Sequence, residues 1–265
     1  MTAPMTAHMT AHMTAPNAGR LFIIGLGPGH ARLRTHEADA ALARAQDIFG
    51  YYPYLDRIDA RPGQIKHPSD NREELDRAKD ALVKVGEGRN VAIVSGGDAG
   101  VFAMAAAVFE AIESGAPSWR ELEIEVIPGV SAMHAAAGRL GAPLGNDFCA
   151  ISLSTNLKPW TLIEKRLQHA VEGDFVIALY NPASMARPDE IYQAFDLLNR
   201  LLPADRLVCL AKNIGRDSEE CIISKLSEVE IKQINMSTLV LIGSSGTRSI
   251  PHAKGSWIYT SRGAK

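Results

Sequence analysis

Twice along this chain a short run of apolar, largely β-branched residues breaks abruptly into glycine and then into a helix-compatible stretch. The first is Leu21-Phe-Ile-Ile-Gly-Leu-Gly-Pro-Gly-His30, and the second is Val91-Ala-Ile-Val-Ser-Gly-Gly-Asp-Ala-Gly-Val-Phe-Ala-Met104. Runs of this length and composition fit strands buried on both faces. The glycine turn at the end of such a strand is where open α/β sheets bind ligands, because the missing Cβ lets the backbone approach a bound molecule.

The same alternation organises the rest of the chain. Strands are expected at 21–24, 91–94 and 124–127, with helices at 35–45, 70–85, 99–113 and 131–140. Asp70 followed by Glu73 resembles a capping box for the second of these helices. Strand–helix alternation implies right-handed crossovers and a parallel sheet. A second region begins near Gly145, with strands expected at 150–153, 175–180, 207–211, 221–225 and 238–242 and helices at 161–170 and 189–202. The short interval between its last two strands suggests antiparallel pairing. The organisation expected is therefore α/β, with a parallel-sheet domain at 19–143 and a mixed-sheet domain at 144–265.

Before them, residues 1–16 repeat Met-Thr-Ala-X four times. The repeat lacks the continuous apolar core of a secretion signal, and residues 1–18 read as a disordered low-complexity leader. His8 and His12 have no acidic or cysteine partners there and do not make a metal site. A net charge of −2 gives no basic signal for nucleic acid or a membrane surface. No apolar run approaches the roughly 20 residues that span a bilayer. Cys149, Cys209 and Cys221 are odd in number and lack CxxC spacing, so they read as reduced thiols in or beside strands, consistent with a cytoplasmic protein.

Gly25-Leu-Gly-Pro-Gly29 invites comparison with a dinucleotide-binding loop. The third glycine falls at 29, however, and His30 occupies the position that GxGxxG requires. Pro28 also removes an amide that a pyrophosphate would use. An NAD(P)-dependent oxidoreductase is the alternative from another class, and tight binding of a nicotinamide nucleotide would distinguish it. Asp98 is placed to cap the next helix or to meet a ligand, and Ser131 to cap the helix after Pro128-Gly129.

The two glycine loops, Ile127-Pro-Gly-Val-Ser-Ala132, Ala178-Leu-Tyr-Asn-Pro-Ala-Ser184, Ala211-Lys-Asn-Ile-Gly-Arg-Asp217 and Leu239-Val-Leu-Ile-Gly-Ser-Ser-Gly-Thr-Arg248 occur in an order that resembles the tetrapyrrole (corrin/porphyrin) methylase family. Phe49-Gly-Tyr-Tyr-Pro-Tyr-Leu55, Ser69-Asp-Asn-Arg-Glu-Glu74, Tyr180-Asn-Pro-Ala-Ser184 and Asn213-Ile-Gly-Arg216 are similar to its branch acting at C-17 of precorrin-3B in cobalamin biosynthesis. The resemblance implies a two-domain fold with the active site in the cleft between the domains. It also implies S-adenosylmethionine as methyl donor, S-adenosylhomocysteine as product, precorrin-3B as substrate, ring contraction to precorrin-4, and a homodimer. The cobalt-containing substrate cobalt-factor III is the near alternative.

Carried over position by position, the resemblance assigns the cofactor to Pro28, Gly97, Asp98, Ala99, Val101, Phe102, Ser131, Ala132, Tyr180, Asn181, Ala211 and Thr238. Ala99 stands where the family's Gly-Asp-Pro has proline. Gly50-Tyr51 stands where many relatives carry Tyr-Asp, so no catalytic carboxylate transfers to that point. Methyl transfer from a sulfonium needs alignment rather than a nucleophilic side chain, and ligand spacing implies no metal. Ring contraction needs proton movement, for which Asp98, Tyr51 and Ser184 are the candidates. The carboxylate arms of a precorrin call for cations: Arg72 and Arg216 first, then Lys158, Arg187 and Lys212. Tyr52 and Tyr54, with Tyr51, are candidates to pack on the macrocycle face.

Overall fold

The computed structural model describes residues 19–184 and 186–263; the repeat, with His8 and His12, lies outside them. The first part of the chain runs β1 (Arg20–Gly25), α1 (His36–Arg44), β2 (Asp47–Tyr51), α2 (Tyr52–Leu55), β3 (Ile65–Ser69), α3 (Glu74–Gly86), β4 (Val91–Ser95), α4 (Met104–Ser114) and β5 (Glu123–Ile127). Its five strands form one sheet in the order β3-β2-β4-β1-β5, and β2 runs parallel to both β3 and β4. The central strands have the expected character: Leu21, Phe22, Ile23 and Ile24 of β1 and Val91 to Val94 of β4 are fully buried. On α3, Ala78, Ala81, Leu82 and Val85 recur at helical spacing and are buried.

This part departs from expectation at four places. β2 and β3 are strands that the sequence pattern does not announce. Gly50 interrupts the apolar run of β2, where a Cβ would sit 2.7 Å from Val94 Cγ2. Pro68 lies in β3, which is an edge strand and so tolerates a residue with no amide hydrogen. The helix expected from 70 starts at Glu74. Only half of the capping box forms, with the Glu73 carboxylate accepting from Asp70 N–H at 2.9 Å, while the Asp70 carboxylate turns to Asn71 N–H. The helix expected from 99 starts at Met104, because Phe102 takes a left-handed φ of 52°. Asp98 is therefore not its cap.

The chain continues with α5 (Ala132–Leu140), β6 (Gly141–Ala142), β7 (Phe148–Ser152), α6 (Trp160–Glu172), β8 (Val176–Tyr180), α7 (Glu190–Leu201), β9 (Leu207–Lys212), β10 (Glu220–Lys225), β11 (Thr238–Ile242), β12 (Thr247–His252) and β13 (Gly255–Thr260). Strands order as β10-β9-β11-β8-β7. β7 and β8 are parallel and the other pairs antiparallel, so this is the mixed sheet expected.

Period-two alternation assigns its two faces. Ile177, Leu179, Val208, Leu210, Val240 and Ile242 pack with Ile163, Leu167, Ala194 and Phe195 of α6 and α7. The intervening Ala178, Cys209, Ala211, Leu239 and Leu241 pack with Met133, Ala136 and Leu140 of α5. Each large apolar side chain buried this way contributes about 1.5–3 kcal/mol relative to exposure. A small sheet, β12-β13-β6, has no counterpart in the expected strands. Its edge strand β12 carries Pro251, as β3 carries Pro68.

By contact density the chain forms two compact units. Of the described residues, one gathers 19–23, 40–94 and 104–126; the other gathers 24–39, 95–103 and those from 127 onward. The loops that leave β1, β4 and β5 thus belong with the C-terminal part. Among the described residues no helix is long and apolar enough to cross a membrane. All three cysteines are free and lie in strands; burial pushes the Cys209 thiol up to about 12, which keeps it protonated.

Candidate active site

Within the second unit, three loops are laced together backbone to backbone. Leu26 N–H donates to Ser95 C=O at 2.9 Å, and Gly27 and Gly97 exchange amide–carbonyl bonds of 3.0 and 2.9 Å. A Cβ on Gly25 would lie 2.7 Å from Gly129 N, and one on Gly129 would lie 2.3 Å from Gly97 O. No side chain fits at either place. Asp98 completes the lacing: one carboxylate oxygen accepts from Gly100 N–H at 2.8 Å and the other from Gly129 N–H at 3.0 Å. It ties the loop after β4 to the loop after β5.

Gly97 differs from its neighbours. Its φ of 72° is one that L side chains rarely adopt. A Cβ there would meet nothing nearer than Ala132 N and Ser131 Cα, both at 3.8 Å. Both are ordinary van der Waals contacts, made with the first turn of α5, so the backbone angle and not crowding is what favours glycine here. There Ser131 caps the helix by accepting from His134 N–H, and Tyr180 Oη accepts from Met133 N–H at 3.1 Å. Ala132 N–H has no acceptor among the described residues. Burial raises the Tyr180 phenol above its ordinary value against the pull of its hydrogen bonds, so it stays neutral. Phe102, 50% exposed, lies with its ring centroid 5.3 Å from that of Tyr180. A bulky residue held in the left-handed region is uncommon, and its exposure leaves the backbone strain uncompensated by burial.

The first glycine loop also closes on the loop after β9. A Cβ on Gly29 would lie 1.9 Å from Gly215 O, and His30 N–H donates to that oxygen at 2.7 Å. Pro28 is buried against Gly215. Gly215 N–H is in turn held by Glu219 at 2.6 Å, whose other oxygen accepts from Arg139 at 2.6 Å. Burial works to raise the Glu219 carboxyl, but the Gly215 amide and the Arg139 guanidinium outweigh it and hold the group below the usual range. Sequence reading missed Glu219, which belongs to no motif; a carboxylate four residues beyond a turn glycine is too common a pattern to single out.

The remaining expected cofactor residues distribute around this frame. Ala99 is buried and Val101 half-buried. Tyr180 ends β8, and Asn181, at φ 51°, donates to Ser152 Oγ at 3.0 Å. Ala211 lies in β9 and is fully buried. Thr238 starts β11 opposite Lys212, and its hydroxyl is engaged with Asn235. Because β11 is antiparallel to β8 and β9, its start shares one end of the sheet with their ends.

Of the substrate candidates, Tyr51, Tyr52, Tyr54 and Arg72 lie in the first unit. Tyr51 and Tyr54 stack edge to face at 5.6 Å, and Tyr52 is exposed. Arg72 and, in the second unit, Arg216 are exposed and make no ion pair among the described residues. Lys212 is taken up by Glu220 at 3.5 Å and Gln233 at 3.1 Å. Ser184 and Arg187 exchange backbone hydrogen bonds of 3.1 and 3.0 Å. Among the described residues no cluster of His, Cys, Asp and Glu could hold a metal ion.

The glycine loop does not have the form of a dinucleotide site. Such a site needs a helix N-terminus immediately after the loop, whereas Ala31–Leu33 is a single 3₁₀ turn, α1 begins only at His36, and the His30 amide is spent on Gly215.

Comparison with known proteins agrees. The family model for tetrapyrrole (corrin/porphyrin) methylases matches residues 20–230. A precorrin-3B C(17)-methyltransferase of Sinorhizobium sp is 53% identical over 88% of this chain and 91% of its own length. A probable cobalt-factor III C(17)-methyltransferase of Salmonella typhimurium is 39% identical over 86% of this chain and 93% of its own. The crystal structure of the methyltransferase CobJ superposes with a TM-score of 0.88 at 46% identity, covering 92% of this chain and all of that one. The chain belongs to the tetrapyrrole (corrin/porphyrin) methylase family.

Proposed function

We propose that this chain transfers a methyl group from S-adenosylmethionine to C-17 of precorrin-3B, with ring contraction to precorrin-4, as a step of cobalamin biosynthesis. The observation that carries this reading is the left-handed Gly97 turn set against the first turn of α5, in a chain 53% identical to an enzyme of that name. This corner suits a cofactor: Gly97 brings bare backbone to it, Ala132 offers a first-turn amide with no acceptor among the described residues, and Phe102 and Tyr180 give an aromatic edge.

When bound, S-adenosylmethionine supplies an electrophilic methyl on a sulfonium whose leaving group departs neutral. The residues of the chain therefore act chiefly by holding the reactants aligned, which can contribute about 7–11 kcal/mol in favourable cases. Pro28, Gly97, Asp98, Ala99, Val101, Phe102, Ser131 and Ala132 bind on one side, and Tyr180, Asn181, Ala211 and Thr238 on the other. Asp98 has both oxygens committed to loop amides, so it braces the loops rather than moving protons. The hydroxyls of Tyr51 and Ser184 have no hydrogen bond among the described residues and carry the proton steps of ring contraction in this reading. Tyr52 and Tyr54 pack on the macrocycle and Arg72 and Arg216 meet its arms. A cytoplasmic homodimer completes the proposal, by resemblance.

Purified protein incubated with precorrin-3B and methyl-labelled cofactor is expected to give one product, labelled at C-17 and ring-contracted by mass spectrometry and NMR. Turnover of cobalt-factor III with none of precorrin-3B would favour the cobalt-containing substrate, and no methyl transfer to either would overturn the proposal.

A further inference from the structure

Lys158 lies in the loop that leaves β7 and Arg187 in the loop that leaves β8. The two strands are parallel neighbours, with Ser152 opposite Tyr180. Leu153 N–H donates to Tyr180 C=O at 2.9 Å, so the loops start side by side, at the end of the sheet that carries Tyr180 and Asn181. Thr155 Oγ1, in the first loop, donates to Glu190 Oε1 at 2.7 Å at the end of the second. The backbone exchange between Ser184 and Arg187 pins the main chain at Arg187.

These loops gather positive charge that the described residues do not neutralise. Neither Lys158 nor Arg187, nor Arg166 of α6, makes an ion pair among them. Arg187 Nη1 is buried and has no hydrogen-bond acceptor among the described residues. The neighbouring buried carboxylate, Glu190, is engaged by Thr155. Burial lowers the Lys158 ammonium from its ordinary value, and the guanidinium groups of Arg166 and Arg187 push it the same way. Buried guanidinium groups are normally matched by a carboxylate or a carbonyl. A buried, unmatched nitrogen on the half-buried Arg187, in a loop that starts beside the one carrying Lys158 and at the ligand end of parallel strands, suits an anion from outside the chain.

We propose that Lys158 and Arg187 form a clamp for a carboxylate arm of the tetrapyrrole, at the ends of β7 and β8. Arg166 adds attraction from α6. The clamp rests on the tetrapyrrole reading above and extends it, adding a partly desolvated pair to the exposed Arg216 of the second unit. A desolvated pair holds an anion more tightly than a solvated one, because water screens it less.

The test uses the full chain with S-adenosylhomocysteine present and uroporphyrin, a stable fluorescent tetrapyrrole polycarboxylate, as probe. Porphyrin affinity is measured for the wild type, Lys158→Gln, Arg187→Gln and the double variant. Lys225→Gln, whose ammonium pairs with Glu228, serves as control. Each single variant is expected to lose about tenfold in affinity or more, the range of a charge-assisted hydrogen bond, and the double variant more than either. S-adenosylhomocysteine affinity should stay within about twofold, since its groups lie on the glycine floor, and the control should match the wild type. If Arg187→Gln does not fold, Lys158→Gln carries the test alone.

Porphyrin affinity unchanged in both singles and the double overturns the clamp. Precorrin-3B turnover by the wild type is assayed separately, so that turnover with unchanged porphyrin affinity in the variants overturns the clamp alone. Loss of porphyrin affinity in the variants without wild-type turnover supports the clamp and overturns the precorrin-3B assignment alone. A wild type that neither binds the porphyrin nor turns over precorrin-3B overturns both.

Discussion

The glycine floor and the cation-bearing loops of the second unit are built by opposite means. At Gly25, Gly27, Gly97 and Gly129 the site is backbone against backbone, and the side chain that matters most, Asp98, is spent on holding two loops together. At Lys158 and Arg187 the site is side chain, and its charges have no partner among the described residues. In the proposed function the floor, already satisfied by its own hydrogen bonds, selects by shape, and the cations, with no ion pair among the described residues, select by charge. A floor of the first kind fails sharply when one atom is added, whereas a charged clamp fails by degrees.

The largest effect on stability is expected from Gly129→Ala. Its new methyl would meet Gly97 O at 2.3 Å, with backbone on both sides and nothing able to swing away. Overpacking of this kind costs about 1–3 kcal/mol, and distorting the floor should weaken S-adenosylhomocysteine about tenfold or more. A melting scan and calorimetry on the same sample check both. Unchanged binding in a folded variant would mean that the lacing is not what shapes the site.

Asp98 sharpens the contrast, because a brace and a base respond differently. Asp98→Asn should raise the KM for the cofactor by up to about tenfold, as one hydrogen bond to a charged acceptor is lost, while kcat holds within about threefold. A general base in the same place would instead drop kcat by about 10²–10⁴. Steady-state kinetics with the cofactor varied separates them.

The smallest effect concerns Glu219, which holds Gly215 under Pro28 and Gly29. Its carboxyl lies below the usual range in the folded chain, so its contribution is present above the unfolded value of about 4.3 and is lost as pH falls through the lower folded value. The melting temperatures of the wild type and Glu219→Gln should therefore differ most near neutral pH and converge as the pH falls through the lowered folded value. A gap that stays constant or widens on acidification would contradict the assigned brace.

The floor was legible in the sequence because its demands are exclusive. Nothing but glycine fits at 25 or 129, and Gly97 adds a left-handed φ, so the requirement is written as residue type. Central strands were legible for a related reason, since the apolar residues of β1 and β4 are wholly buried. Edge strands β3 and β12 were not, because an edge tolerates Pro68 and Pro251 and half-exposed polar residues that read as loop. The cations were visible only as candidates. Lys212 and Arg187 look alike in sequence, yet one is neutralised by Glu220 and the other is left with a buried nitrogen unpartnered. That difference depends on which loops meet, which local pattern does not encode.

The central claim is that the space over Gly97 holds the methyl donor. Titrating S-adenosylhomocysteine into the wild type and into Gly97→Val by calorimetry tests it most directly. The new Cβ would lie 3.8 Å from its nearest neighbours, an ordinary contact, so the cost in stability should be chiefly that of the left-handed backbone, about 1–2 kcal/mol. The account predicts one bound ligand per wild-type chain and no measurable binding to a folded Gly97→Val. Equal affinity in the two proteins would place the cofactor elsewhere and contradict it.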